Sequence, residues 1–561
     1  MRPTSLQGFR PLTPAEERIV ADLDHGDFDR LGDGSVPEQG DAGREVRAAF
    51  LRFLALGGDV DHRPHEKGVR ISGAWISGLL DLEGCRIPRD LGLKDCRFDA
   101  APVLRSAVID SLFLDGSHLP GLQADRLEAR GDMTLRAADV SGEVRLAGAR
   151  IGGALILDGA SIAQPGGLAL VAEDLSARSV EMRAANVRGG VDVGRSRIGA
   201  DLDLAGATIE NAGQVALDGE AVEADGDLVL RRAVIAGEVK LASARLGGDL
   251  DLSGARLSNP GGEVVHLNRA VVRGGFFLRD GAELDGALDL TGATLDTIHD
   301  AAASWPKAGD LLLNRCLYNA FLGGPVDAAS RLDWLSRQSA ARWGEDFWPQ
   351  PYELLAQVLT QMGHDEDARA VLIEKERLQR QSRRDRAQNA VWRALLSLKD
   401  GILGVTVGFG RQPLRAFAWL LAFWLLGVAV FGLAEARSAL KPNSPVVLRS
   451  PEWTMCGVPE GETRLLAGAT PTPGRAKPGE TQLRCFLGQQ EASSYPIFNA
   501  WMYSLDTLFP VLEIGQKEYW RPDPTKAFGS FAMGYFYFQA IVGWALSLLA
   551  IAGFSGLVKS R

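Results

Sequence analysis

The stretch DVSGEVRLAGARIGGALILDGASI, residues 139–162, decides the fold. Val140, Ile151 and Ile162 recur in it at intervals of eleven. The same spacing returns in residues 186–209 (NVRGGVDVGRSRIGADLDLAGATI) through Val187, Ile198 and Ile209. Residues 234–257 (VIAGEVKLASARLGGDLDLSGARL) repeat it through Ile235, Leu246 and Leu257. Residues 271–295 keep it through Val272, Leu284 and Leu295 with one residue inserted. The larger units begin at Val140, Val187 and Ile235, 47 and 48 residues apart. Between these marks apolar residues alternate, as in Val144 and Leu146, Leu155 and Leu157, Leu202 and Leu204, Leu250 and Leu252. That two-residue period belongs to strands with one buried face. Such short strands cannot hold a sheet alone. Glycine pairs at 152–153, 189–190 and 247–248 mark corners, and Gly-Ala pairs at 159–160, 206–207 and 254–255 let the chain turn tightly. The consistent solution is a parallel β-helix whose coils stack their inward residues into ladders. Coils of about 22–24 residues over 69–320 predict ten or eleven turns, and a rod roughly 50 Å long at about 4.8 Å per coil. GAWISGLLDLEGCRI, residues 73–87, fits the same template.

A β-helix leaves unpaired edges at both ends and needs caps. Residues 1–68 supply a helical N-terminal cap, in which Thr13-Pro14-Ala15-Glu16 reads as an N-cap, a proline at the first helical position and a capping box. REVRAAFLRFLAL, residues 44–56, is an apolar-striped helix ending at Gly57-Gly58. The repeat domain occupies 69–325. A helical hairpin, 326–390, turns at Gly363-His364, and its Leu355, Ala356, Gly363 and Ala368 resemble one tetratricopeptide unit, which serves most simply as the second cap.

The remaining third is of another character. Ala416 to Ala434 is 19 uncharged residues, and a second uncharged stretch covers 527–558. About 20 apolar residues suffice to cross the hydrocarbon core as a helix. Spans are therefore expected at 413–436 and within 527–561, with a basic interfacial helix at 391–412 and an external loop at 437–526. The fold class is mainly β: a parallel β-helix with helical caps, followed by a two-helix transmembrane module. Lys375, Arg377, Arg380, Arg383, Arg384, Arg386, Arg393, Lys399, Arg411 and Arg415 precede the first span, opposed only by Glu376, Asp385 and Asp400, while Lys559 and Arg561 follow the second. The positive-inside bias puts both chain ends in the cytoplasm. Arg383, Arg384, Arg386, Arg411 and Arg415 are the residues expected to face anionic lipid. The N-terminus carries no apolar h-region and does not read as a signal peptide. Of five cysteines, Cys456 and Cys485 fall in the external loop and are expected to pair, as an oxidising compartment permits. The Pro-rich stretch 468–480 reads as flexible.

Composition narrows function. With 61 Lys+Arg against 71 Asp+Glu, net −10, the chain is not a dedicated nucleic-acid binder. No G-x-G-x-x-G follows a strand, and G-x-x-x-x-G-K-[ST], H-E-x-x-H and G-x-S-x-G are absent. No catalytic residue, cofactor or metal site is assigned. Thr406-Val407-Gly408-Phe409-Gly410 resembles a potassium-channel filter, but it precedes the first span beside Arg411, so it reads as an interfacial helix ending in glycine. Residues 497–515, IFNAWMYSLDTLFPVLEIG, lie where a re-entrant segment belongs. Phe498, Trp501, Leu505, Leu508 and Leu512 share one helical face, Asp506 sits among them, and Pro510 ends the pattern. Asp506, Glu513 and Gln539 are the candidate pore residues. The simpler alternative is an amphipathic helix on the outer leaflet. Asp201, Asp203, Asp249, Asp251 and Asp289 recur on the rod and read as a solvated acidic face. Cys85 and Cys96 read as small inward residues. His62 and His65 with Asp59 and Asp61 form a dense ligand cluster without a metal signature.

GVRISGAWISGLLDLEGC (68–85), QPYELLAQVLTQMGHDEDARAVLIEK (350–375), VGFGRQPLRA (407–416) and YSLDTLFPVLEIGQKEYW (503–520) together resemble bacterial proteins that join a pentapeptide-like β-solenoid to a C-terminal two-span module. Many of these are labelled membrane-associated oxidoreductases. The resemblance implies a redox enzyme and carries over no catalytic residue; Phe409 stands where relatives are expected to have tyrosine. Three functions follow: an inner-membrane-anchored scaffold for a protein partner or for self-assembly, an oligomeric ion channel or sensor regulated by the solenoid, and an oxidoreductase. Membrane lipid and a protein partner or second copy are the expected partners.

Overall fold

The computed structural model describes residues 4–338, 347–386, 389–408, 412, 414–465, 471–509 and 511–554. It divides into two compact units, 1–375 and 376–561.

The first unit is a parallel β-solenoid of about 12 turns. Its strands pair in two long parallel ladders. In one, Ile151 lies beside Ala177, then Ile198, Ala224, Leu246, Val272 and Leu295, so successive coils take 26, 21, 26, 22, 26 and 23 residues. In the other, Val140, Ile162, Val187, Ile209, Ile235 and Leu257 stack in register. All six are at most 2% exposed, and each contributes about 1.5–3 kcal/mol by leaving water. The 47–48-residue unit is thus a pair of unequal coils. The long coil of each pair contains an eleven-residue strand, Ser161–Val171, Thr208–Asp218 or Arg256–His266, interrupted by a projecting loop. The Gly-Ala turns hold glycine at positive φ, +63° at Gly159 and +67° at Gly254. The glycine pairs work differently: a Cβ on Gly247 would collide with the carbonyl of Asp225 in the preceding coil.

The turn count exceeds ten or eleven because the N-terminal segment is only partly helical. Helix α1 (Pro14–Ala21) has the expected Thr13/Glu16 capping box, and α2 spans Ala48–Ala55. Between them Asp29–Arg30 pairs with Val69–Ser72, and Glu45–Arg47 pairs with Trp75–Ser77, adding a coil. Two- and three-residue strands without the repeat leave no period to read. At the other end α3 (Ala328–Ser336) follows the last strands, and α4 (Gln350–Gln361) and α5 (Asp365–Asp385) form the expected hairpin, with Gly363 at φ +88°. Arg331 closes this end. It is fully buried, bonds both Asp300 oxygens at 2.7 Å, and stacks 3.5 Å from the Phe321 ring centroid.

The acidic residues of the rod are structural. Asp132, Asp201, Asp227 and Asp249 accept hydrogen bonds from backbone N–H groups of the next coil, at Ala154, Asp227, Asp249 and Gly275. Asp203, Asp251 and Asp289 accept from the N–H two residues on, and the last two are buried. The solvated face expected from alternation is therefore largely a set of staples. Alternation tells which way a side chain leaves the strand, and is silent about the unpaired N–H groups that turns create.

The second unit holds α6 (Ala390–Val407), α7 (Leu414–Ala436), α8 (Ala500–Leu508) and α9 (Gly529–Phe554). α6 ends at Gly408, at φ +53°; Phe409, Gly410 and Arg411 lie outside the described residues. α7 and residues 529–552 of α9 are long and apolar enough to cross a membrane, with mean hydropathy 2.2 and 1.6. The described residues within 437–526 are folded. Leu440–Pro442 pairs with Trp520–Pro522, Cys456 and Cys485 form a disulfide with Cα atoms 5.5 Å apart, and Trp453, Phe486 and Trp520 pack around them. Trp520 is buried and donates to the Pro496 carbonyl. Part of the stretch expected to be flexible is ordered, since 471–473 pairs with 463–465.

Candidate functional site

The site is built where α8 meets α7 and α9. Asn499 caps α8, its side chain accepting from the N–H groups of Trp501 and Met502 at 3.0 and 3.1 Å. The helix lasts nine residues. Its C-terminus lies against Gly543 of α9, where a Cβ would collide with the carbonyl of Leu508. The chain then doubles back: Gln516 donates to the Ile497 carbonyl at 3.2 Å and accepts from the Asn499 N–H at 3.1 Å. Entry and exit are thus tied together, and α8 with the described residues that follow it forms a helix and return loop.

The buried face of α8 is Tyr503, Ser504, Asp506, Thr507 and Leu508, while Trp501 is half exposed and Leu512 lies beyond the helix. It overlaps the face read in the sequence at Leu508, with Phe498 buried just before the helix and Leu505 half-buried. Its centre is polar. Ser504 Oγ donates to the Trp424 carbonyl at 2.8 Å. Gln539 Nε2, fully buried on α9, donates to Ser504 Oγ at 2.9 Å, the Ser504 carbonyl at 3.2 Å and the Phe423 carbonyl at 3.3 Å. Gly427 makes room for the cluster, because a Cβ there would lie 2.6 Å from Gln539 Nε2.

Asp506 is fully buried, accepts from the N–H groups of Ile514 and Lys517 at 3.2 and 2.9 Å, and pairs with Lys517 Nζ at 3.4 Å. It holds the return loop to α8. Glu513 is exposed, with no hydrogen-bond or ionic partner among the described residues. Val511 is 90% exposed, and Leu512 and Ile514 stand beside it in solvent. The three candidate pore residues therefore divide into a latch, a helix-packing amide and a free carboxylate. Pro510 lies outside the described residues.

Of the basic residues expected to face lipid, Arg383, Arg386 and Arg415 are exposed. Arg384 and Arg380 instead bond Asp400 of α6 at 3.1 Å each. Arg411, Lys559 and Arg561 lie outside the described residues.

The solenoid adds a cluster that sequence reading missed. His266 Nδ1 lies 3.3 Å from both Glu238 and Glu263, and its Nε2 lies 3.8 Å from Asp289. Lys240, His266 and Asp289 share one ladder column, a signal available only once the unequal coil lengths are known. His62 pairs with Asp59 at 2.8 Å, and the Leu6 N–H and His62 hold that carboxyl down to about 2. Cys96 is buried, its thiol pushed up to about 12 by desolvation, whereas Cys85 is only half buried and meets Arg52 at 3.2 Å.

Fold and site together define a β-solenoid protein with two helices long and apolar enough to cross a membrane and, between them, a short helix packed against both. No family model matches the chain, and no curated protein or solved structure matches it.

Proposed function

We propose that the chain is one subunit of an oligomeric, cation-preferring membrane pore, anchored in a bacterial inner membrane with its solenoid and both termini in the cytoplasm. The observation that carries this is the depth of the return loop. At 1.5 Å per residue α9 is about 39 Å long, and Gly543, where α8 ends, lies about 21 Å along it. With α9 across a bilayer, the non-helical backbone from Phe509 onward begins near the membrane midplane. Irregular backbone at that depth is tolerated only where protein buries it or where it lines water. In a single chain it is exposed, with Val511 almost bare. Further copies around this face supply both conditions, and two spans per chain suit a shared axis. α8 aims the partial negative charge of its C-terminus at the midplane, and Glu513 adds one uncompensated carboxylate per subunit, so cations are favoured.

The test is the purified full chain in a planar bilayer under a KCl gradient. Currents with a cation-selective reversal potential, moved toward zero by Glu513→Gln, are expected. A chain that sediments as a monomer in detergent and is silent at every voltage overturns the reading.

The solenoid favours a second role in the same molecule. Its projecting loops at 164–167, 211–214 and 259–262 stand two coils apart, about 10 Å. Asn211 and Asn259 brace two of them identically, donating to the carbonyls of Val215 and Glu263 at 2.7 Å. A rigid row of equivalent loops suits a scaffold for a repetitive partner or for self-assembly. Shortening all three loops in the full chain is expected to abolish partner capture or self-association; capture unchanged by shortening refutes this role. The redox label of the family that the sequence resembles would instead require a bound chromophore or nicotinamide-dependent turnover in the same preparation.

A further inference from the structure

A groove of about 610 Å³ runs between α6, α7 and α9. Leu398, Ile402 and Val405 form one wall, Trp419 and Phe423 the second, and Leu546 part of the third. Its only hydroxyls belong to Ser397 and Thr406, and Thr406 already donates to the Ile402 carbonyl at 2.6 Å. Water needs two to four polar partners to occupy a cavity, and this one offers almost none. Residue 401 faces open space in the groove: a Cβ there would meet nothing within 4 Å. The Trp419 indole N–H donates to the Val405 carbonyl at 3.3 Å, which fixes the separation of two walls.

The surroundings define what fills it. α6 turns Asp400 toward Arg380 and Arg384 and leaves Trp392, Leu395, Leu398, Ile402 and Val405 exposed. Such a helix lies along a membrane interface with its apolar side in the acyl region. Two walls belong to the span-length helices, so the groove opens into hydrocarbon. Arg415 lies one turn before Trp419 on α7, continuing the row of Trp419 and Phe423 beyond the groove's lining. It is exposed and has no partner among the described residues, and the same holds for Lys399 on α6.

We propose that this groove holds an acyl chain of an anionic membrane phospholipid, with Arg415 meeting the headgroup phosphate. The chain displaces the empty space that neither water nor protein fills, and the cationic rim selects headgroup charge. The site is independent of whether the return loop lines a pore.

The full chain, reconstituted in vesicles of equal phosphatidylglycerol and phosphatidylcholine, is extracted into detergent and its retained lipid read by native mass spectrometry. Phosphatidylglycerol is expected to stay bound. Gly401→Leu, which fills the groove from an open position, is expected to remove it while far-UV circular dichroism stays unchanged. Arg415→Gln, at an exposed position, is expected to keep lipid but bring the two headgroups to parity. Undiminished phosphatidylglycerol on Gly401→Leu, equal retention of both lipids by the unmutated chain, or retention of detergent or free fatty acid alone overturns the proposal.

Discussion

Gly427→Ala is the sharpest test of the re-entrant arrangement. The added methyl would overlap Ser504 Oγ and stand 2.6 Å from Gln539 Nε2, closer than any real Cβ contact. Ser504 is the short side chain of the pair, so its hydroxyl must rotate away. Two hydrogen bonds then go, to the Trp424 carbonyl at 2.8 Å and from Gln539 at 2.9 Å. Interhelical hydrogen bonds in bilayers average about 0.6 kcal/mol and reach about 1.7, so docking of α8 is weakened by roughly 1–3 kcal/mol. At about 1.4 kcal/mol per tenfold, the undocked population rises about 5- to 100-fold. The assay is hydrogen exchange of the amides of 500–508 in the reconstituted full chain, beside bilayer current. Gly432→Ala is the control, because its Cβ would meet only Ala500 Cβ at 3.9 Å. Gly427→Ala is expected to speed exchange and reduce current, and Gly432→Ala to do neither. Equal exchange in the two variants would refute the packing argument, since they differ only in what the methyl meets.

Other perturbations address other joints of the molecule. Asp300→Asn leaves the fully buried Arg331 guanidinium without its counter-charge, and is expected to destabilise the solenoid by about 3–5 kcal/mol in chemical denaturation followed by circular dichroism; a loss under 1 kcal/mol contradicts the closure role. Replacing Cys456 and Cys485 together by serine opens a loop with a sequence separation of 29 and is expected to cost about 3–4 kcal/mol of local stability, read as faster proteolysis of 437–526 under non-reducing conditions. His266 is held above its ordinary 6.5 by its hydrogen bond to Glu238 and by Glu263 and Asp289, against desolvation. Its protonated form is the one the fold favours, so this stabilisation is present below 6.5 and lost as pH rises through the raised value. His266→Gln is expected to flatten solenoid stability across that window, and an unchanged pH profile counts against the cluster.

The solenoid was legible because every coil repeats one demand. Val140, Ile162, Val187 and Ile209 must each meet the residue above and below, so their spacing is visible in the chain. What was illegible has a physical reason too. The first coil rests on Asp29–Arg30 and Glu45–Arg47, too short to show a period. The unequal coils sum to a unit of 47–48 residues, which conceals that Lys240 and His266 are neighbours. Asp251 illustrates the limit of alternation. Burial alone would raise its carboxyl, yet the hydrogen bonds from Ser253 and the charge of Arg231 hold it below the ordinary range, and nothing local in the sequence announces either partner.

The C-terminal unit is legible in outline, but which residues of 497–512 meet protein is not. In water apolar surface drives burial, so the apolar stripe of this segment shows in the sequence while its packed polar residues do not. In hydrocarbon that drive vanishes between helices, and it is polar groups that gain by meeting protein. Ser504, Asp506 and Thr507 are accordingly buried while Trp501, Met502 and Val511 are exposed. The same rule separates the two carboxylates of the loop. Asp506 satisfies its charge with Lys517 and two backbone N–H groups and is spent on holding the loop. Glu513 has no such partner among the described residues, and at the depth proposed for the return loop a bare carboxylate needs water or a cation. The residue first to be tested for conduction is therefore Glu513, and Asp506→Asn is expected to reduce current by loosening the loop, with the reversal potential of the remaining current unchanged.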